Sequence, residues 1–390
     1  MDITIKTLTP LWTGGIDGKV DRIHETALLG SLRWWMEALV LGMGGNVCDP
    51  TEQKCSVKNG LCEVCKIFGA EGQKRRFRLE VLEIDISNAT IEHPIKANRT
   101  YTENGQQKTP TWYFPDPTQN SRPQANTPKQ GIFILQVQSL HPSFRPDIIG
   151  GLIQFIADWS ALGARPQMGF GVIRIEGSRI NTQPLYDWLI ATVGNNTSNS
   201  TSSDLPSLRN IFLAKIQPKN SSPAFTEQDT FNLKYDLRNC FRTEKETELN
   251  KNTAQAQSKS GHKGLTLKKD KQESNVNQDN DEKDLRHFIM GTVENERMAA
   301  KVKISRPYEE NGTTVMRVWG WIPEVADVYQ NGWDREKVVD MIYQHLSRHY
   351  TLQVWREMNS QRDTVTPNES NAQPFLHSLL NLQESSHANS

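Results

Sequence analysis

The chain has 390 residues, enough for two domains that each bury a sizeable core. Lys plus Arg number 45 and Asp plus Glu also number 45. No global electrostatic pull toward nucleic acid or membrane follows, so any polyanion must be met by a local patch. No stretch approaches the roughly eighteen apolar residues of a membrane span, and MDITIKTLTPLW lacks the charged-then-apolar layout of a secretion signal. Five cysteines are too few to staple a chain of this size. A reducing, cytoplasmic setting is expected.

In chain order, ITIKTLTPLW alternates apolar and polar residues and predicts a half-buried strand. From Glu25 to Met43, apolar residues recur at helical spacing. FRLEVLEIDI (77–86) predicts a second strand, KANRTYTENGQQKTPTWYF an excursion with a turn near Asn104 and Gly105, and GIFILQVQSL (131–140) a third strand. A helix follows Pro146 and Asp147, and FGVIRIEG is a fourth strand. The order over residues 1–180 is β-α-β-β-α-β, a ferredoxin-like unit. A polar linker covers 181–208, including 195-NNTSNST-201, and the apolar-poor segment 244–283 reads as a disordered insertion. Between and beyond them, NIFLAKI, KYDLRNCFR, AAKVKISRPY, TTVMRVWGWI, DREKVVDMIYQHLSRH and YTLQVW suggest a second such unit over 209–360. A polar tail covers 361–390. The expected class is α+β, with two ferredoxin-like domains in tandem.

Four of the five cysteines fall in one block at 46–69. Cys62 and Cys65 form a C-x-x-C knuckle, with Cys48 and Cys55 upstream. Four thiolates at this density can close around one tetrahedral zinc, which would stabilise a loop with little core of its own. Four cysteines leave no open position for catalysis, so a zinc here would be structural. The competing readings are small buried side chains or a redox pair, and the latter lacks a thioredoxin-like context.

Basic residues gather locally. The first helix region holds Arg22 and Arg33, and Arg33 precedes Trp34 and Trp35. Adjacent helical residues diverge by about 100°, so at least one tryptophan belongs to the core. The run 73-QKRRFR-78 places Lys74, Arg75 and Arg76 where a loop enters a strand, a phosphate stripe or a solvated face. The stretch 162-LGARPQMGFGVIRIEG-177 sets Gly163, Gly169 and Gly171 around Arg165. Glycines there either let amides approach a phosphate or give the chain room to turn. No H-E-x-x-H, Walker loop or nucleophile elbow occurs.

Together, 9-TPLWTGG-15, IHETALLGSLRWWMEALV, the cysteine block running into RRFRLEV, and GARPQMGFGVIRI resemble the RAMP superfamily. More closely, with KYDLRNCFR, RHFIMGT and MRVWGWIP, they resemble the first-numbered Cmr subunits of type III-B CRISPR effector complexes. The resemblance implies ferredoxin-like domains, RNA binding at the guide 3′ end of a filament, target-RNA capture beside other RAMP subunits, and no catalytic role. The candidate RNA contacts are Arg22, Arg33, Lys74, Arg75, Arg76, Arg99, Arg165, Lys301 and Arg306, with Trp12 and Trp34 for stacking and Gly169 and Gly171 in the loop. The alternatives are a guide-processing endoribonuclease and a purely architectural subunit.

Overall fold

A computed structural model describes residues 1–15, 20–49, 55–89, 95–103, 105–109, 111–112, 127–193, 205–219, 222–241, 285–292, 298–324 and 334–382. The expected insertion at 244–283 and the stretch 195–204 lie outside the described residues.

Strand β1 (Asp2–Thr7) alternates as its sequence demands, with Ile3, Ile5 and Thr7 turned inward. Helix α1 (Glu25–Gly42) buries Leu28, Leu32, Trp35, Met36 and Leu39, a stripe stepping by three and four. The short α2 (Glu63–Phe68) follows the cysteine loop. Strand β2 (Phe77–Asn88) pairs along its length with β7 (Lys129–Ser139). Two small ribbons stand between them in sequence: β3 (Ile95–Lys96) with β6 (Thr111–Trp112), and β4 (Tyr101–Glu103) with β5 (Gln106–Lys108). Pro146 opens α3 (Pro146–Trp159), where its missing N–H is harmless. Strand β8 (Ile173–Ile175) completes a four-stranded sheet of order β2-β7-β1-β8, antiparallel throughout.

The second half repeats the plan. Strand β9 (Ile211–Gln217) leads to α5 (Glu227–Cys240), started by a capping box between Thr226 and Asp229. Strands β10 (Val302–Ile304), β11 (Tyr308–Glu310) and β12 (Thr313–Trp321) follow. Helix α6 (Arg335–His349) is capped by Asp334, which accepts from the Lys337 amide, and β13 (Thr351–Glu357) closes the sheet. Its order is β10-β12-β9-β13, again antiparallel, with β11 on the flank of β12.

Two stretches that read as polar carry helices. The span that the sequence suggests is linker from 181 begins with α4 (Gln183–Val193), which buries Leu185, Leu189 and Val193. The tail contains α7 (Ala372–Leu379), with Phe375, Leu376 and Leu379 buried. Trp159 Nε1 donates to the Leu379 carbonyl at 2.9 Å, and Thr182 Oγ1 donates to Leu380 O at 3.0 Å. The tail therefore seals the first half. A short apolar run inside polar flanks hides such a helix, because its burial comes from tertiary packing rather than from its own length.

The halves share a core. Leu208, Ile211, Leu213, Trp319 and Met358 pack in one cluster with the residues of α1 and α3. Arg317 of β12, only 2% exposed, donates from Nη1 to Ser160 O (2.9 Å) and from Nε to Tyr308 Oη (2.8 Å). The first ribbon docks on α5: the Asn98 amide donates to Asn232 Oδ1, and Gln228 Nε2 donates to Lys96 O. Among the described residues no helix is long and apolar enough to cross a membrane.

Candidate nucleic-acid interface

A cavity of about 930 Å³ opens where the halves meet. The first half contributes Gly30, Ser31 and Trp34 of α1 and Gly163, Pro166, Gln167 and Met168 of the glycine loop. The second contributes Lys234 and Arg238 of α5, Phe288, Lys301 and Lys303 beside β12, and Trp319 and Trp321. No described lining residue is acidic.

Strand register explains why these side chains converge. Lys303 pairs with Trp319, and the Trp321 amide meets Lys301 O. With a period of two, Lys301, Lys303, Trp319 and Trp321 share one face, while Val302, Ile304 and Val318 turn to the core on the other. The Lys301 ammonium lies 3.4 Å from the Phe288 ring centroid and 5.2 Å from that of Trp321. The Lys303 ammonium lies 5.4 Å from that of Trp34. These contacts hold cations against aromatic faces. Lys234 Nζ donates to Gln167 O at 3.3 Å.

The cluster perturbs its own titration. Burial, then repulsion from Lys301, brings Lys303 down to about 7. Burial brings Lys301 down to about 8. Burial, then Arg238, brings Lys234 down to about 8. An incoming polyanion would hold all three in the charged form.

Of the sequence candidates, Trp34 and Lys301 line the cavity. Trp35 is the core tryptophan, donating from Nε1 to Ser160 Oγ. Arg165 stands at the loop beside the cavity, its guanidinium 3.9 Å from the Trp12 ring centroid. Trp12 itself is 3% exposed and packs on Phe170, so it is a support for Arg165 rather than an open stacking surface. Arg306, also 3% exposed, faces Glu227 at 2.8 Å and lies over Phe170. It belongs to the seam between the halves, not to a phosphate-facing surface. Arg99 is ion-paired with Asp236 and lies over Tyr235, so the excursion is pinned to α5. Arg22 pairs with Glu25 on the exterior, and Lys74 is exposed. Arg75 donates to Phe77 O, and Arg76 stands half-buried beside it. The structure brings none of Arg22, Lys74, Arg75, Arg76 or Arg99 into the cavity lining.

The glycine loop turns for packing. The amides of Leu162, Gly163, Ala164, Met168, Gly169 and Gly171 all donate to protein acceptors. A Cβ on Gly169 would stand 2.5 Å from Arg306 N, and one on Gly171 would stand 1.9 Å from Leu162 O. Both sit at positive φ, near 84° and 90°. Gly169 and Gly171 thus allow close backbone approach at the seam, and their N–H groups are not a phosphate nest.

The cysteine block forms a compact quartet. The sulfurs of Cys48, Cys55, Cys62 and Cys65 all lie within 4.8 Å of one another. Cys48 and Cys65 are 3.5 Å apart, and Cys62 and Cys48 are 3.7 Å apart. Tetrahedral zinc with Zn–S bonds of roughly 2.3 Å sets its sulfurs roughly 3.8 Å apart. The residues present therefore fit a metal. Burial pushes the Cys65 thiol up to about 11 and Cys48 higher still. Burial also opposes ionisation of Cys62, but hydrogen bonds from its neighbours outweigh it and hold that thiol low. Arg33 is drawn here rather than to the cavity. Its Nη2 donates to Cys65 Sγ at 3.1 Å, Nη1 donates to Gly69 O at 3.3 Å, and Nε donates to Glu37 Oε1 at 2.8 Å.

Comparison with known proteins bears on the first half. Residues 4–174 match the model of the RAMP superfamily. The RAMP match spans the first sheet, the cysteine quartet and the glycine loop. Among solved structures, the chain is similar to apo Cmr1 from Pyrococcus furiosus, at 14% identity, over 90% of this chain and 97% of that one, with a TM-score of 0.40. It is also similar to a chain in type III-B Cmr-beta bound to cognate target RNA and AMPPnP, at 10% identity, over 89% and 98%, with a TM-score of 0.41. No curated protein matches.

The sequence signal for Lys303, Trp319 and Trp321 was present in the alternation of KVKI and VWGW. Lys234, Arg238 and Phe288 carry no such signal, since only the fold brings them to the same cavity.

Proposed function

We propose that this chain is a non-catalytic RNA-binding subunit of a type III-B CRISPR (Cmr) effector complex, working beside other RAMP subunits in the cytoplasm. One strand of RNA, guide or target, occupies the cavity between the halves. The observation that carries this reading is the set Lys234, Arg238, Lys301 and Lys303 beside Trp34, Phe288 and Trp321, with no acidic residue among the described lining. Cations that track a backbone, interleaved with rings that accept any base, are the chemistry of sequence-tolerant single-strand binding. Sequence choice then falls to base pairing with the guide.

Both sheets run second-third-first-fourth among their main strands, which we read as two ferredoxin-like units. The cysteine quartet would hold a structural zinc, which supplies a cross-link for the 46–69 loop. Arg33 offsets the negative charge of its thiolates.

The test is anisotropy of a labelled single-stranded RNA with the natural chain and the K301A/K303A variant across several salt concentrations. The variant is expected to bind at least tenfold more weakly, with a salt slope shallower by about 1.4, from two lost contacts at about 0.7 each. Unchanged affinity and slope would place the RNA elsewhere. Cleavage of the RNA by the natural chain would overturn the non-catalytic reading.

A further inference from the structure

Away from the cavity, α5 and α6 present four side chains of metal-ligating type at helical spacing. Asp236 and Cys240 lie four residues apart near the end of α5, and His345 and His349 lie four apart at the end of α6. Residues four apart share a helix face. The helices pack on each other, and all four side chains line one open pocket of about 600 Å³ with Asn239 and Tyr350.

Cys240 Sγ stands 3.6 Å from His345 Nδ1. A sulfur and a nitrogen on one tetrahedral ion, with bonds of roughly 2.3 and 2.0 Å, are roughly 3.5 Å apart. The second ring nitrogen, His345 Nε2, is buried and has no hydrogen-bond partner among the described residues. An imidazole with one nitrogen against a thiol and the other unbonded is poorly satisfied for a buried polar ring. The His349 ring lies over that of His345, with centroids 4.6 Å apart, and is exposed.

The geometry points to a second metal site, held by Cys240, His345 and His349, that takes zinc or a similar borderline divalent ion. Among the described residues only the cysteine quartet already has its ligand atoms at mutual binding distance. The second site closes when the exposed His349 turns inward. Asp236, ion-paired with Arg99, lines the same pocket outside the ligand set. Its consequence is mechanical. The ion staples the end of α5 to α6, and α5 carries Lys234 and Arg238 into the cavity.

The test measures zinc per chain after gel filtration of the full chain and three variants. C240S and H349A are each expected to lose one equivalent, and H349A, at an exposed position, leaves the fold intact by circular dichroism. C48S/C62S is expected to lose a different equivalent, so combining it with H349A lowers the content further than either alone. Cobalt loaded in place of zinc should show a thiolate charge-transfer band that C240S weakens. If C240S and H349A both retain the metal content and the cobalt spectrum of the natural chain, the second site does not exist.

Discussion

The Lys303 ammonium stands 5.4 Å from the centre of the Trp34 ring, a cation from the second sheet over an aromatic ring from the first helix. The pair spans the seam between the halves, so the cavity's binding surface exists only when both are docked. Truncating Trp34 removes a stacking surface worth roughly 1–3 kcal/mol per base. W34A is therefore expected to weaken single-stranded RNA binding by about fivefold to 150-fold, and W34F to retain most of it. Equilibrium anisotropy at fixed salt checks this. Equal affinity for W34A and the natural chain would remove Trp34 from the site.

The lysines make binding depend on pH in a direction that follows from their shifts. Lys303 near 7 and Lys301 and Lys234 near 8 lose their protons as pH rises through that range. A phosphate favours the charged form, so RNA binding takes up protons and weakens as pH climbs from about 6.5 to 9. Because these folded-state values lie below that of an unfolded lysine, the same groups lower stability as pH falls from about 10 toward 7, and the loss is complete below 7. Replacing both Lys301 and Lys303 by arginine, which stays charged, should flatten the affinity profile. A profile equally steep in that variant would assign the titration to other groups.

Much of this arrangement was legible in the chain. Strand and helix positions follow from periodicity: FRLEVLEIDI lies within β2, GIFILQVQSL overlaps β7 to Ser139, and the helix expected after Pro146 is α3, ending at Trp159. The cysteine quartet was legible from spacing alone. The cavity was only half legible. Trp34 and Lys301 line it, but Arg306 and Trp12 look the same in sequence and are buried in the seam. Charge type says nothing of which arginine finds a carboxylate. Arg99 meets Asp236 across 137 residues, a pairing that only tertiary contact creates. Helix α7 was missed for the same reason, since its apolar run is too short to announce itself.

Arg33 separates two roles that the sequence leaves open. Its guanidinium touches Cys65 Sγ and Gly69 O rather than the cavity. Burial opposes its charge, but Glu37 and Cys65 more than offset this and raise its pKa. A group that steadies thiolate ligands typically shifts metal affinity by about 10–100-fold when removed. R33Q is expected to release zinc to a chelator at correspondingly lower chelator strength, with R33K intermediate, while the salt slope of RNA binding is unchanged. If R33Q instead keeps its zinc and lowers the RNA salt slope, Arg33 contacts phosphate as its place in the sequence suggests.

Gly169 tests what the glycine loop is for. Its φ of 84° disfavours any side chain by roughly 1–2 kcal/mol. A methyl group would also stand 2.5 Å from the backbone nitrogen of Arg306, and overpacking of this kind costs about 1–3 kcal/mol. G169A is therefore expected to lose about 2–5 kcal/mol in urea unfolding, because it forces the 163–171 loop away from β10. The substitution removes no amide. A loop that served only to cradle phosphate would tolerate it in the unfolding experiment and show the damage in RNA affinity alone. A stability close to that of the natural chain, together with weakened RNA binding, would return the loop to the phosphate-binding role. Loss of stability first, with RNA affinity per folded molecule largely kept, establishes it as the hinge on which the two halves are packed.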